Sequence, residues 1–135
     1  MQAKAMKLAC EVLNGIGTRP STREWRTRWP EIPRLDPPPY YDQRSDPPRI
    51  GFVVVDLGAT VKHTIHKSRR LHNRLGELPT FRTLCRGDQC LMVIITGSDG
   101  KAEALRVALG DQAFDCPVEV LVNHQLFEYV LQVKR

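Results

Sequence analysis

No run of about 18 apolar residues occurs in the chain, which excludes a membrane-spanning helix. The opening Met1-Gln2-Ala3-Lys4-Ala5-Met6-Lys7 has no apolar stretch of the kind a secretory signal needs, so export is not expected. Cysteine is sparse. Cys10, Cys85, Cys90 and Cys116 are too few and too widely spaced for the disulfide framework of a small secreted module, and a reducing compartment, cytosol or nucleus, is expected. There is no internal repeat. No Gly-x-Ser-x-Gly turn is present either, and no cysteine stands beside a base at a strand end, so acyl-transfer chemistry has no nucleophile.

What is present suits one globular core. The 135 residues are 41% hydrophobic and 26% charged, and a chain of this length removes roughly two-thirds of its unfolded surface from water. Folding therefore requires neither disulfide nor metal, and stability alone implies no cofactor. Twenty Lys and Arg against fifteen Asp and Glu give a net charge of +5, unevenly spread. Residues 1–34 carry seven basic and three acidic side chains, residues 62–86 seven and one, and residues 98–128 two and six. Such polarity suits a component that touches nucleic acid on one side and a protein partner on the other; a solvated basic helix satisfies the same pattern.

Met6, Ala9, Cys10, Leu13 and Ile16 recur at helical spacing, predicting an amphipathic helix over about 3–15 that Gly15 and Gly17 can end. Ser21-Thr22-Arg23-Glu24 reads as a capping box opening a short helix over 22–29, stopped by Pro30. Eight of the ten prolines lie between Pro20 and Pro48. Proline fixes φ and lacks a donor, so residues 30–49 are expected to be an extended connector. Beyond it, Ile50–Val55, Leu91–Ile95 and Val118–Val122 are short β-branched apolar runs, separated by helix-compatible stretches at Val61–Leu75 and Lys101–Leu109. This β-α-β-α-β order predicts a mostly parallel sheet with helices on its faces, hence a three-layer α/β domain over 50–135, preceded by a helical segment (1–29) and the proline-rich arm. The tail from Gln125 to Val133 fits either a strand or a short helix.

In such a sheet, functional residues gather at the carboxyl ends of the strands, here Asp56, Thr96, Ser98, Asp99 and Asn123. Asp56-Leu57-Gly58-Ala59-Thr60 resembles the first phosphate loop of sugar kinases and actin-like ATPases, but those enzymes need two large lobes that this chain cannot supply. His63, His66 and His72 with Cys85 and Cys90 offer zinc donors, although the histidines sit on a basic helix and four residues separate the cysteines. Asp36 or Asp46, then Asp56, then Lys62 or Lys67 follow the order of the PD-(D/E)XK nuclease set, in which two carboxylates and a lysine hold Mg²⁺ and activate water. The usual lysine position, two residues after the strand acid, is Gly58 here. Lys62, Lys67, Arg69, Arg70, Arg74, Arg82 and Arg86 are placed to contact phosphates. No Phe, Trp or Tyr interleaves from Lys62 to Arg74, so backbone contact, not base stacking, is the expected mode.

From Val61-Lys62-His63-Thr64-Ile65, through Leu91–Thr96 and Lys101–Leu109, to Val120-Leu121-Val122-Asn123 and His124-Gln125-Leu126, the chain resembles the N-terminal jaw domain of the fifth common subunit of nuclear and archaeal-type RNA polymerases. The opening helices, Met6 to Trp29, are similar in order. The resemblance implies a restriction-endonuclease-like α/β fold without catalysis, inside a transcription assembly of several protein subunits. Two features depart from it: no counterpart of the family's C-terminal assembly module follows Arg135, and the proline segment is not a family feature. The order Asp36, Asp56, Lys67 is also similar to the replication-relaxation proteins of mobile elements.

Three readings follow. The first is a non-catalytic, intracellular component of a nucleic-acid-handling assembly, binding nucleic-acid backbone through the basic helix and protein subunits through other faces, with no membrane and no cofactor. The second is a Mg-dependent nuclease using Asp36, Asp56, Lys62 and Lys67. The third is a structural adaptor whose Trp25 and Trp29, on one helical face, anchor a partner.

Overall fold

In the computed structural model, which describes residues 3–134, the chain forms one α/β domain around a five-stranded mixed sheet. The strands are β1 (Gly17–Thr18), β2 (Tyr40–Asp42), β3 (Arg49–Val55), β4 (Cys90–Thr96) and β5 (Val118–Val122), lying in sequence order across the sheet. The three apolar runs are parallel neighbours, with Ile50 opposite Cys90 and Met92 opposite Val118. β1 and β2 extend the sheet antiparallel, Tyr40 facing Gly51 and Gly17 facing Asp42. The expectation of a mostly parallel sheet is therefore corrected to a mixed one. The proline segment carries an inner strand: between Pro39 and Pro47 only Tyr40-Tyr41-Asp42 must supply amide donors, and three residues suffice to bridge β1 and β3.

Helices cover both faces. α3 (Val61–Gly76), α4 (Pro79–Arg86) and α5 (Asp99–Gly110) pack on the face formed by Ile50, Phe52, Val54, Cys90, Met92, Ile94 and Val120. α1 (Ala3–Asn14) and α6 (His124–Lys134) pack on the opposite face, where Ala5, Leu8, Ala9, Leu13, Leu126 and Tyr129 meet Val53, Val55, Leu91, Val93 and Ile95. β4 is buried along its whole length, as a central strand with helices on both sides must be. The tail is thus a helix. The α1 stripe predicted from periodicity is real, and it contributes one side of the second core.

Local signals explain the boundaries. Ser21, Thr60 and Ser98 each cap a helix by accepting from the backbone N–H three residues on, at 3.1, 3.1 and 3.2 Å. α2 (Thr22–Arg28) follows the first of these. Pro79 opens α4, an eight-residue helix that the sequence pattern did not assign. Gly51, mid-strand, has a packing reason: a Cβ there would lie 2.1 Å from the Tyr40 ring, which covers the bare backbone. No helix among the described residues is long and apolar enough to cross a membrane.

Candidate functional site

Three places in this frame collect polar side chains. The first is the carboxyl edge of the parallel strands. Asp56 directly follows β3 and is buried, and both its oxygens are engaged. Oδ1 accepts from the backbone N–H of Gly58 and Ala59 at 3.0 and 3.1 Å and faces the Thr64 hydroxyl at 3.4 Å. Oδ2 accepts from the Thr96 hydroxyl at 2.8 Å and pairs with Lys101 Nζ at 2.9 Å. Lys101 also donates to the Ala59 carbonyl. Gly58, at φ 86°, permits the turn that brings the two N–H groups back onto the carboxylate.

A cavity of about 250 Å³ opens beside this knot, floored by Asp56, Thr96 and Lys101 and walled by Leu126, Phe127 and Val130 of α6. A carboxylate has about four lone-pair sites, and here five donors converge on them, so Asp56 ties β3, β4, α3 and α5 together. Ser98 is spent as the α5 cap, and Asn123 donates to the Leu8 carbonyl at 2.9 Å, joining the end of β5 to α1. Asp99 meets His124 at 3.2 Å on the surface. The strand-end residues predicted from the sequence do cluster here. Lys101 was missed; its signal was its place in the first turn after Ser98, which aims it back at the edge of β3.

The second place lies on the α1 side of the sheet, toward the amino ends of the parallel strands. Asp42, fully buried, accepts from the Tyr40 hydroxyl at 3.1 Å and pairs with Arg44 at 2.6 Å, and Arg44 reaches on to Glu119 of β5 at 2.5 Å. Burial pushes the Asp42 carboxyl up, but the hydrogen bonds and charge of Arg44 outweigh it and hold Asp42 below the usual carboxylate range. Burial, reinforced by the Asp42 charge, raises the Tyr40 hydroxyl above its ordinary value. Hydrogen bonds to Glu119 and Asp42 keep Arg44 firmly protonated. Nothing in the sequence reading singled out this cluster. Its parts lie on a three-residue strand, the turn after it and β5, and are brought together only by the sheet.

The third place is the outer face of α3 and α4. Ile65, Ser68, His72 and Leu75 turn inward, leaving Lys62, His63, His66, Lys67, Arg70 and Arg74 exposed. α3 contains no acidic residue. Among the described residues, none of the seven cations predicted to contact phosphate forms an ion pair with a carboxylate. They nevertheless divide. Lys62, Arg70 and Arg74 make no described hydrogen bond. Lys67 donates to the Val55 carbonyl at 3.4 Å, Arg82 to the Gly76 carbonyl at 2.8 Å and Arg86 to the Thr83 hydroxyl at 3.4 Å. Arg69 is held most firmly, bonded to the Ala113 carbonyl at 2.5 Å and to Gln112 at 2.9 Å, with its guanidinium 4.1 Å from the Phe114 ring centroid. An open groove of about 440 Å³ runs past Lys62, His63, His66 and Arg69.

The remaining predicted residues are placed as follows. Asp36 is exposed in the loop leading to β2, and Lys62 stands on the first turn of α3. The lysine on the Asp56 carboxylate is Lys101, not Lys62 or Lys67. Trp25 and Trp29 are half-buried against their own core, 6.2 Å apart, and Trp29 faces the Tyr41 hydroxyl at 3.4 Å. His63 and His66 are exposed, whereas His72 is buried and accepts from the Asp115 N–H at 3.0 Å.

Fold and sites together define a single mixed-sheet α/β domain with a cationic outer face on α3. Comparison with protein families, with curated proteins and with solved structures finds no match to this chain.

Proposed function

We propose that the protein is a non-catalytic, intracellular component of a nucleic-acid-handling assembly and that it binds the phosphate backbone through the outer face of α3. One observation carries the reading: α3 presents an acid-free row of exposed cations while its apolar stripe is fixed in the core. Lys62 to Arg74 spans about 18 Å of helix, over which one strand of a duplex offers about five phosphates. Lys62, Arg70 and Arg74 are the primary contacts, with Lys67, Arg82 and Arg86 able to exchange weak internal bonds for phosphate. Arg69 serves mainly to hold the loop before β5.

A restriction-endonuclease-like architecture and a transcriptional setting with further protein subunits belong to the same proposal, and they rest on the resemblance in element order. Catalysis through Asp56 is disfavoured by its full complement of internal partners, which a metal would have to displace. The test is duplex binding followed by fluorescence anisotropy across a salt series. Each phosphate contact contributes about 0.9 to the slope of log K against log salt, so the triple Lys62→Ala, Arg70→Ala, Arg74→Ala variant is expected to lose between about 2 and 3 from it. A wild-type slope near zero, or a slope the variant leaves unchanged, removes the nucleic-acid assignment.

A further inference from the structure

We infer that Cys85, Cys90 and Cys116 form a three-thiolate binding site for one divalent d¹⁰ cation of the zinc type. The three residues come from different elements: Cys85 from the last turn of α4, Cys90 from the first position of β4, and Cys116 from the approach to β5. Their sulfurs all lie within 4.8 Å of one another, and Cys85 Sγ is 3.6 Å from Cys90 Sγ. Thiolates bound to zinc at about 2.3 Å stand about 3.8 Å apart when tetrahedral and about 4.0 Å apart when trigonal, so one ion fits among them with sub-ångström adjustment.

The chain is arranged to bring them together. Arg86-Gly87-Asp88-Gln89 separates the first pair, and Asp88 adopts φ 53° so that the strand returns antiparallel to the helix end. Soft thiolate donors select zinc or copper(I) over hard cations. Three thiolates around Zn²⁺ leave a net charge of −1 and around Cu⁺ a net charge of −2, and the larger buried charge costs more. Cys90 and Cys116 are buried while Cys85 is half-exposed, so the ion enters, and takes its fourth ligand from solvent, on the Cys85 side. Each thiol releases its proton to solvent on binding. His72 is not the fourth ligand: neither of its ring nitrogens joins the three sulfurs within 4.8 Å.

The experiment is titration of the reduced, metal-free full chain with Co²⁺, read by absorbance, followed by Zn²⁺ displacement. A thiolate-to-cobalt charge-transfer band saturating at one equivalent and bleached by zinc is expected. The band should persist in Cys10→Ser, a remote thiol, and be lost in Cys85→Ser and Cys116→Ser. Zinc should raise the melting temperature of the wild type and not that of Cys85→Ser. Should Cys116→Ser fail to fold, Cys85→Ser decides, since its side chain reaches the surface. Absence of the band in the wild type, or its survival in Cys85→Ser, overturns the assignment, whatever the outcome at α3.

Discussion

Replacing Asp56 by Ala distinguishes a structural tie from a catalytic acid. The substitution leaves Lys101, whose side chain is 22% exposed, without its carboxylate, and it strands the fully buried Thr96 hydroxyl and the N–H groups of Gly58 and Ala59. Removing one member of a buried ion pair costs about 3–5 kcal/mol, and an unsatisfied buried polar group about 1–3 kcal/mol. These losses overlap, and Lys101 keeps the Ala59 carbonyl and some solvent, so about 3–4 kcal/mol is expected in total. For a domain of this size, that is a fall of about 10–15 °C in melting temperature.

Asp56→Asn, which retains an acceptor for the Gly58 and Ala59 N–H groups, should lose about half as much. Calorimetry of the three proteins at neutral pH is the assay. A catalytic carboxylate held for a metal is commonly neutral or costly to stability, so its removal leaves the melting temperature unchanged or raises it. An Asp56→Ala protein melting within about 3 °C of wild type would refute the tie. The size of the effect also matters for testing nuclease activity. A destabilised Asp56→Ala protein would lose cleavage for either reason, so the informative control is Lys67→Met assayed on plasmid with Mg²⁺ or Mn²⁺.

Further outcomes are expected from the same geometry. Asp42 has a depressed carboxyl pKa in the folded state, so its contribution is complete above the unfolded value near 3.9 and disappears as pH falls through the lower folded value. Urea midpoints measured from pH 7 to pH 2 should therefore drop more shallowly in Asp42→Asn than in wild type. Gly51→Ala drives a methyl into the Tyr40 ring and should cost about 1–3 kcal/mol by equilibrium unfolding, relieved in the Tyr40→Leu background, which removes the clashing ring. Leu13→Ala, at a position 1% exposed in the core shared by α1 and α6, should cost about 2–5 kcal/mol; a cost under 1 kcal/mol would make α1 an appendage.

The parallel half of the sheet was legible because its strands are continuous apolar runs of a length only a doubly covered strand tolerates. Ser21 and Ser98 precede helix starts that the structure keeps, and Thr60, not singled out from the sequence, caps a third. What escaped notice was non-local. β1 is two residues and β2 three, too short to show alternation, and their register comes from pairing with β3. Proline density argued for a connector, yet three consecutive non-proline residues were enough for an inner strand. The strand-end cluster was half visible: Asp56 and Thr96 stood out as ends of apolar runs, while Lys101 lay hidden within a helix. The Asp42–Arg44–Glu119 bridge joins positions 75 residues apart, and no local pattern encodes a contact of that separation.

Charge placement decides how much of the two-sided polarity survives folding. The sequence between 98 and 128 reads as an acidic patch suited to a protein partner, but two of its six acids pair with a permanent cation within the domain: Glu119 with Arg44 and Glu103 with Arg106. Of the buried acids, Asp42 shares Arg44 with Glu119, and Asp56 is paired with Lys101. Such pairing takes cations and carboxylates together and leaves the net charge at +5; what folding sets is placement, and among the described residues the Lys and Arg cations of α3 have no carboxylate partner. A concentrated positive face steers a polyanion and gives little purchase to a basic partner. The nucleic-acid side of the proposal therefore has an electrostatic basis in the folded molecule, while contact with protein subunits has the exposed Asp99 and Asp115 and the apolar Phe127 and Leu131 beside the strand-end cavity to draw on.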